Sequence, residues 1–172
     1  EEEHIHSGPI DLSEIIDFVF RLVEGQAEVD DVRLRKQVER KVPPAFGNPR
    51  RLEHLFVNLL LNALNAVGPT GGTITVCIQR DADWVRVDVR DTGPGIPLEH
   101  QPHLFEPFFT TRANRTGLGL FSARRIVEAH LGEIKVVSAP GEGACVSVWL
   151  PTAEAPPELV ESAPSTVLNE KR

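Results

Sequence analysis

Apolar positions along the chain switch between two periods, and the switches mark its elements. Leu12, Ile15, Ile16, Val19, Phe20 and Val23 recur at helical spacing, which predicts an amphipathic helix over 11–28. Val32, Leu34 and Val38 alternate within a charged stretch and predict a strand. Pro43-Pro44 closes it. Asn48 followed by Pro49 is a helix start, a capping amide and then a proline whose missing N–H is harmless in the first turn. The helix predicted there, 49–67, is rich in Leu and Ala and stops at Gly68-Pro69. Two runs of period two, 73–80 and 84–90, are joined through Asp81-Ala82-Asp83 as a β-hairpin. Residues 91–115 lose both periods and are dense in Gly, Pro and Thr, with a short helical possibility at 98–105. A third helix over 117–131 and a second hairpin, 133–139 and 144–150 around Pro140-Gly141-Glu142-Gly143, complete the periodic part.

Hairpins segregated from helices predict an α/β sandwich, with a mixed but mostly antiparallel sheet of about five strands and three main helices on one face. A loop of about 25 residues inside a compact domain is rare unless it has a function. Residues 1–9 carry no period and read as a lead-in, 10–151 as the domain, and 152–172, rich in Pro, Ala, Glu and Ser, as a solvated tail. The abrupt beginning at Glu1-Glu2-Glu3 suggests a piece of a longer protein. At 172 residues the chain suits one domain with a real core. Its net charge of −7 argues against a general nucleic-acid binder, which needs a basic surface to displace phosphate counterions. It contains no run of eighteen apolar residues. Cys77 and Cys145 fall in strand-like runs without metal-ligand spacing and read as small buried hydrophobes in a reducing cytosol.

Three stretches carry candidate chemistry. Asn58 and Asn62 are four apart in a helix that is otherwise nearly all apolar, so their amides share one face. Amide carbonyl oxygens can ligate Mg²⁺, whose shell is filled out by phosphates and water. Asp91 follows directly on the 84–90 strand and by parity points inward with Val85, Val87 and Val89. A carboxylate there needs a donor, and the exocyclic amine of adenine is one, with Gly93 and Gly95 letting the backbone approach a flat ring. Thr116-Gly117-Leu118-Gly119-Leu120 opens the third helix, whose free N–H groups suit a phosphate. Gly117-x-Gly119-x-x-Ser122 follows a polar loop rather than a strand, and no GxxxxGK[ST] occurs, so neither a dinucleotide fingerprint nor a P-loop is present.

Taken together, NLLLNALNA, DTGPGIP, LFEPFFTTR, TGLGL and PGEGACVSVWLP resemble, in order and spacing, the catalytic ATP-binding domain of sensor histidine kinases. That family belongs to the wider group that includes gyrase B, Hsp90 and MutL, and the resemblance covers about residues 10–151. The TTR and ALNAV stretches look most like the nitrogen-regulator type. The resemblance implies a Bergerat-type fold, ATP and Mg²⁺ as ligands, and donation of the γ-phosphoryl group to a histidine on a separate dimerisation domain in two-component signalling. By it, Asn62 matches the Mg²⁺ ligand. Asn58 stands one turn earlier, where ATP-hydrolysing relatives carry a glutamate that activates water. Asp91 matches the adenine-reading aspartate, with Gly93, Gly95 and Ile96 on that wall. Phe105, Phe108 and Phe109 resemble the base of a mobile ATP lid that continues through Thr110 and Thr111. Arg112 matches a basic lid residue able to reach the phosphates. Thr116 and Leu118, with the hinge glycines Gly117 and Gly119, lead the lid into Leu120.

The pattern has departures. Asn65 stands where many members carry Lys or Arg, Arg115 replaces a frequent lid glycine, Ala144 a frequent hydroxyl, and Leu131 the first glycine of a His-Gly-Gly. His4 and His6 lack the helical His-Glu/Asp-x-x-Asn-Pro setting of a phosphoacceptor, so the acceptor is expected on another domain. His100 and His103, beside Glu99 and Glu106, read as solvated loop residues rather than ligands, and His130 as a charge suited to a helix C-terminus. The expected partners are the kinase's own dimerisation domain and a response-regulator receiver domain. The isolated domain is expected to be monomeric and cytoplasmic, the full kinase to be a homodimer, soluble or membrane-anchored. Two other readings stay open: an ATP-hydrolysing relative, and a nucleotide-binding module that no longer transfers phosphate.

Overall fold

The computed structural model describes residues 7–111 and 115–154. The chain runs through β1 (Gly8–Ile10), α1 (Leu12–Val29), β2 (Val32–Val38), β3 (Ala45–Gly47) and α2 (Pro49–Val67). It continues with β4 (Gly72–Asp81), β5 (Trp84–Asp91), α3 (Gly119–Ala129), β6 (Glu133–Ser138) and β7 (Ala144–Pro151). Strands β2-β4-β5-β7-β6 form one mixed sheet in that order. The β2–β4 pair is parallel and the other three are antiparallel, as the segregated hairpins predict.

Local chemistry explains why each element sits where it does. Asp11 caps α1 by accepting the Ser13 N–H at 2.8 Å, and Asn48 caps α2 by accepting the Arg51 N–H at 3.1 Å. A cap of this kind contributes about 1 kcal/mol. The chain leaves α2 through Gly68 at φ 59°, which terminates the helix at the predicted residue. The charged strand β2 belongs to the sheet because Lys36, at an inward position, reaches Asp17 (2.5 Å) and Ser13 (2.9 Å) on α1. Helix α3 starts two residues later and ends two residues earlier than 117–131, at Gly119–Ala129. The helical possibility at 98–105 shrinks to a single 3₁₀ turn, Gln101–His103.

The core lies between the helices and one face of the sheet. Ile16, Val19, Leu52, Phe56, Leu59, Leu60 and Leu64 meet Ile74, Val76, Val85, Val87 and Leu150, all buried. Among the described residues the other face carries no helix, and its own side chains cover it. Asp88, buried at its centre, accepts Ser147 Oγ at 2.6 Å, Arg86 Nε at 2.8 Å and Arg90 Nη2 at 3.3 Å. Arg86 lies over the ring of the buried Trp149, whose indole N–H reaches Asp81 at 3.0 Å. A buried carboxylate is tolerated when it is paired and hydrogen-bonded in this way.

The sequence reading left two elements out. Gly8–Ile10 lies in the supposed lead-in, yet it pairs with Ala45–Gly47 as a small antiparallel sheet, with Gly8 opposite Gly47. The domain therefore begins at least two residues before position 10. At its other end, the Thr152 N–H donates to Asp83 O (3.0 Å) and the Ala153 N–H to Pro44 O (2.8 Å), so contacts with the domain also pass the predicted limit of 151. The burial expected of Cys77 and Cys145 is not met, since both are only half-buried. His4 and His6, and residues 155–172 of the expected tail, lie outside the described residues.

Candidate functional site

Helix α2 carries the first group of predicted residues. Asn58, Asn62 and Asn65 are all half-buried, in contrast to the buried Leu55, Leu59, Leu60 and Ala63 that face the core. The Asn58 Nδ2 is shielded from solvent and has no hydrogen-bond partner among the described residues. A buried amide donor left unmatched costs about 1–3 kcal/mol, so a helix carrying one is waiting for a ligand or a water.

Two other segments close on α2 one turn apart. A methyl group built on Gly119, at the start of α3, would lie 3.4 Å from Asn62 Oδ1 and 3.5 Å from Nδ2. A methyl group on Gly93 would lie 2.9 Å from the carbonyl oxygen of Ala66, four residues after Asn62, and 2.9 Å from Asp91 Oδ1. The asparagine face, the loop after β5 and the first turn of α3 are thus brought together along one edge of α2. At Gly93 a side chain would collide with the backbone of α2, whereas at Gly119 a methyl group would make only ordinary contacts with Asn62.

Asp91 ends β5 half-buried, on the inward side that strand parity assigns to it. Its carboxylate accepts the Gly93 N–H at 2.9 Å and the Ala144 N–H. Burial pushes its pKa above the ordinary 3.8, and the two N–H donors oppose that without cancelling it. A carboxylate in this state gains from an additional donor, which is the role an amine-bearing flat base can fill.

The loop behind Asp91 is fastened to the turn between β6 and β7. Gly141 N–H donates to Pro94 O at 2.6 Å. Ser138 Oγ accepts the Ile96 N–H at 2.8 Å and donates to Gly143 O at 2.7 Å. Gln101 Nε2 donates to Ile96 O and to Ser138 O, each at 3.0 Å. Gly95 sits at φ 75° with its α-carbon against the carbonyl of Ala139, a position that any side chain would both strain and overfill. Ser138 and Gln101 were not among the residues singled out from sequence.

Beyond Gln101 the chain reaches the phenylalanine stretch. Phe105 and Phe109 are half-buried and Phe108 is exposed at φ 65°. Arg124 on α3 lies over the Phe105 ring, and the rings of His100 and His103 each approach Phe109 at 5.7 Å. His103 pairs with Glu106 at 2.9 Å. No group of three or more metal-type side chains is found among the described residues. Gly117, at φ 69°, packs its α-carbon on the backbone of Phe108 and Phe109, which sets the base of the glycine-rich segment against the phenylalanines. Thr110, Thr111, Arg115 and Thr116 are exposed around it, while Leu118 and Leu120 are half-buried. Arg112 lies outside the described residues.

One assignment is corrected. His130 was read as a charge favoured at a helix C-terminus. Its Nδ1 faces the Ile126 carbonyl at 2.7 Å and must donate, while its Nε2 accepts the Asn48 N–H at 3.0 Å. Both bonds together require the neutral ring, which links the end of α3 to the start of α2. A cavity of about 300 Å³ adjoins it, lined by Phe46, Asn48, Arg51 and Leu131, and holds none of the predicted site residues. Leu131 takes φ 57°, the backbone position for which the glycine of the resembling family is suited.

Comparison with known proteins fits this geometry. The sensor histidine kinase ZraS of Escherichia coli (strain K12) is 36% identical over 148 residues, which are 86% of this chain and 32% of that protein. Sporulation kinase E of Bacillus subtilis (strain 168) is 34% identical over 155 residues, 90% of this chain and 20% of the kinase. The chain spans about a third or less of the length of these curated relatives. Among solved structures, the catalytic domain of histidine kinase ThkA matches with a TM-score of 0.78 at 29% identity, covering 86% of this chain and 96% of that one. Full-length ShkA, solved in complex with AMPPNP, matches with a TM-score of 0.77 at 25% identity, covering 89% of this chain and 33% of that one. The family match itself runs over residues 47–154, from the cap of α2 past the end of β7, and the chain belongs to the histidine kinase-, DNA gyrase B-, and HSP90-like ATPases.

Proposed function

We propose that this domain binds Mg²⁺-ATP along the α2 edge and presents the γ-phosphoryl group to a histidine on a separate dimerisation domain. The observation that carries the reading is the convergence on α2 of Asp91's loop, through Gly93 and Ala66, and of the α3 start, through Gly119 and Asn62. In it, Asp91 accepts the adenine amine, and the wall from Gly93 through Ile96 lies against the ring. The first turn of α3 offers backbone N–H groups to the phosphates. The residues present fit a magnesium ion: Asn62 supplies a neutral oxygen beside the phosphate end, and the unmatched Asn58 amide can hold a water or a phosphate oxygen. The ion, when bound, would neutralise part of the phosphate charge. The family resemblance implies a phosphate contact for Arg112, and Arg115 is a second candidate cation for that end.

Phosphoryl transfer is mostly positioning and charge compensation, so the chain's task is to hold the nucleotide with its terminal phosphate turned outward. The acceptor chemistry follows from Asn58. Hydrolysis requires a base next to the attacking water, and a carboxamide is a poor one. Transfer to an imidazole needs none from this domain. The nitrogen-regulator likeness, the response-regulator partner and a cytoplasmic setting are part of the same proposal. ThkA has been solved in complex with the response regulator TrrA, and that structure matches this chain with a TM-score of 0.74 at 26% identity. No helix among the described residues is long and apolar enough to cross a membrane.

The test is to mix the domain with γ-labelled ATP, Mg²⁺ and a separately produced helical dimerisation domain carrying its acceptor histidine. The expected product is an acid-labile, base-stable phosphoryl label on that histidine, lost in Asn62→Ala. Free phosphate with no labelled histidine would favour the hydrolase reading. Nucleotide binding with neither product would favour the module that only binds.

A further inference from the structure

We infer that Gln101 is a positioning residue for nucleotide recognition, holding the Asp91 loop in its base-accepting shape together with Ser138. The inference rests on the reading of Asp91 as the adenine contact. Residues 92–97 form no ladder with the sheet beyond Thr92, whose N–H reaches Thr73 O at 3.2 Å. Their shape depends on a few isolated bonds instead. Ile96 is the point where these bonds concentrate: its N–H goes to Ser138 Oγ and its carbonyl to Gln101 Nε2. The second Nε2 hydrogen reaches Ser138 O, so one amide group spans the loop and the end of β6. Ser138 Oγ passes the link on to Gly143 O, and Gly143 packs its α-carbon against the carbonyl of Asp91. The path from Gln101 to the backbone of Asp91 is therefore continuous, through Ser138 and Gly143.

The geometry selects glutamine for the role. Both partners of Nε2 are carbonyl oxygens, so the position needs two donors on one nitrogen. Gln101 is half-buried and opens the 3₁₀ turn Gln101–His103, which fixes its backbone while its side chain reaches back five residues to Ile96. Gln101→Leu keeps the size and removes both donors. Gln101→Glu keeps the shape and sets acceptor against acceptor. Each leaves two carbonyl groups without their partner and frees the loop to shift, moving Asp91 relative to the ring it would read.

The experiment measures ADP and GDP affinity in Mg²⁺ for residues 1–172, by competition with a fluorescent ADP analogue. Wild type is compared with Gln101→Leu, Gln101→Glu and a core control, Ile78→Val, which loses a buried methyl group away from the site. The expected result is a roughly tenfold weaker ADP affinity in Gln101→Leu and more in Gln101→Glu, with a reduced preference for ADP over GDP. Ile78→Val, although thermally destabilised, keeps wild-type affinity and preference. Gln101→Leu binding ADP as Ile78→Val does would overturn the inference, and so would equal losses for ADP and GDP. Failure of wild type to bind ADP would overturn the nucleotide reading and this inference with it, whereas normal wild-type binding with an indifferent Gln101→Leu would overturn the inference alone.

Discussion

The two ends of the candidate site are built differently. Around Asp91 the wall is finished by folding: its carboxylate has two N–H donors, Ile96 has both polar backbone groups paired, and Gly141 ties Pro94 to the next turn. Along the asparagine face the structure is less complete, with Asn58 Nδ2 unmatched among the described residues and Asn62 beside the α-carbon of Gly119. One end is preorganised by the protein and the other is completed by what binds. A base-reading wall can be rigid because the base does not change during the reaction. A phosphate end has to exchange ions, water and a transferred group.

That contrast predicts unequal and separable mutational effects. The largest belongs to Asp91→Ala, which removes a charged acceptor worth roughly 1.5–3 kcal/mol and so weakens ADP about 10- to 150-fold. Calorimetric titration should find this loss with magnesium and with EDTA alike. Asn62→Ala is next, with ADP about tenfold weaker in Mg²⁺, on the scale of one ligand contact, and unchanged in EDTA. A loss of equal size in EDTA would erase the distinction between the two ends.

Acidification offers a third test, with opposite signs for folding and binding. Because the folded Asp91 pKa lies above its ordinary 3.8, its favourable contribution to stability is present below that value and lost as pH rises through the raised folded value. Binding needs the ionised acceptor, so ADP affinity falls as pH is lowered through the same window. In Asp91→Asn both dependences disappear, and the apo protein melts no lower than wild type at pH 7. Thermal denaturation and ADP titration across the window check the two halves separately. The smallest effect is expected at Asn58→Ala, where removing an amide without a protein partner leaves ADP affinity within about threefold of wild type. A tenfold loss in a binding assay would give Asn58 a larger share of nucleotide binding than one contact to a water or a phosphate oxygen.

How legible these features were in the sequence depended on how local their causes are. Helix α2 was readable end to end because Asn48, Pro49 and Gly68 bracket it with known cap chemistry. Asp91 was readable because strand parity carries its direction from Val89. The small β1–β3 sheet was not, since three-residue strands show no period and their pairing joins positions far apart in the chain. Ser138 and Gln101 escaped for a similar reason: the bonds that bring the loop and the end of β6 together, Ile96 N–H to Ser138 Oγ and Gln101 Nε2 to Ser138 O, span 42 and 37 positions, which no residue type advertises. His130 was placed correctly at a helix end, but its Nε2 is engaged by the Asn48 N–H, 82 positions distant. The asparagine and glycine motifs were found by type and spacing. That they meet on one edge of α2 is a tertiary fact.

The central claim is that two independently built ends hold one magnesium nucleotide, and a double-mutant cycle tests it most directly. ADP affinity would be measured with and without Mg²⁺ for wild type, Asp91→Ala, Asn62→Ala and the double variant. The account predicts that the two losses multiply, as for sites without shared partners, and that magnesium strengthens binding wherever Asn62 is present and nowhere else. Magnesium strengthening ADP binding in Asn62→Ala as much as in wild type would contradict it.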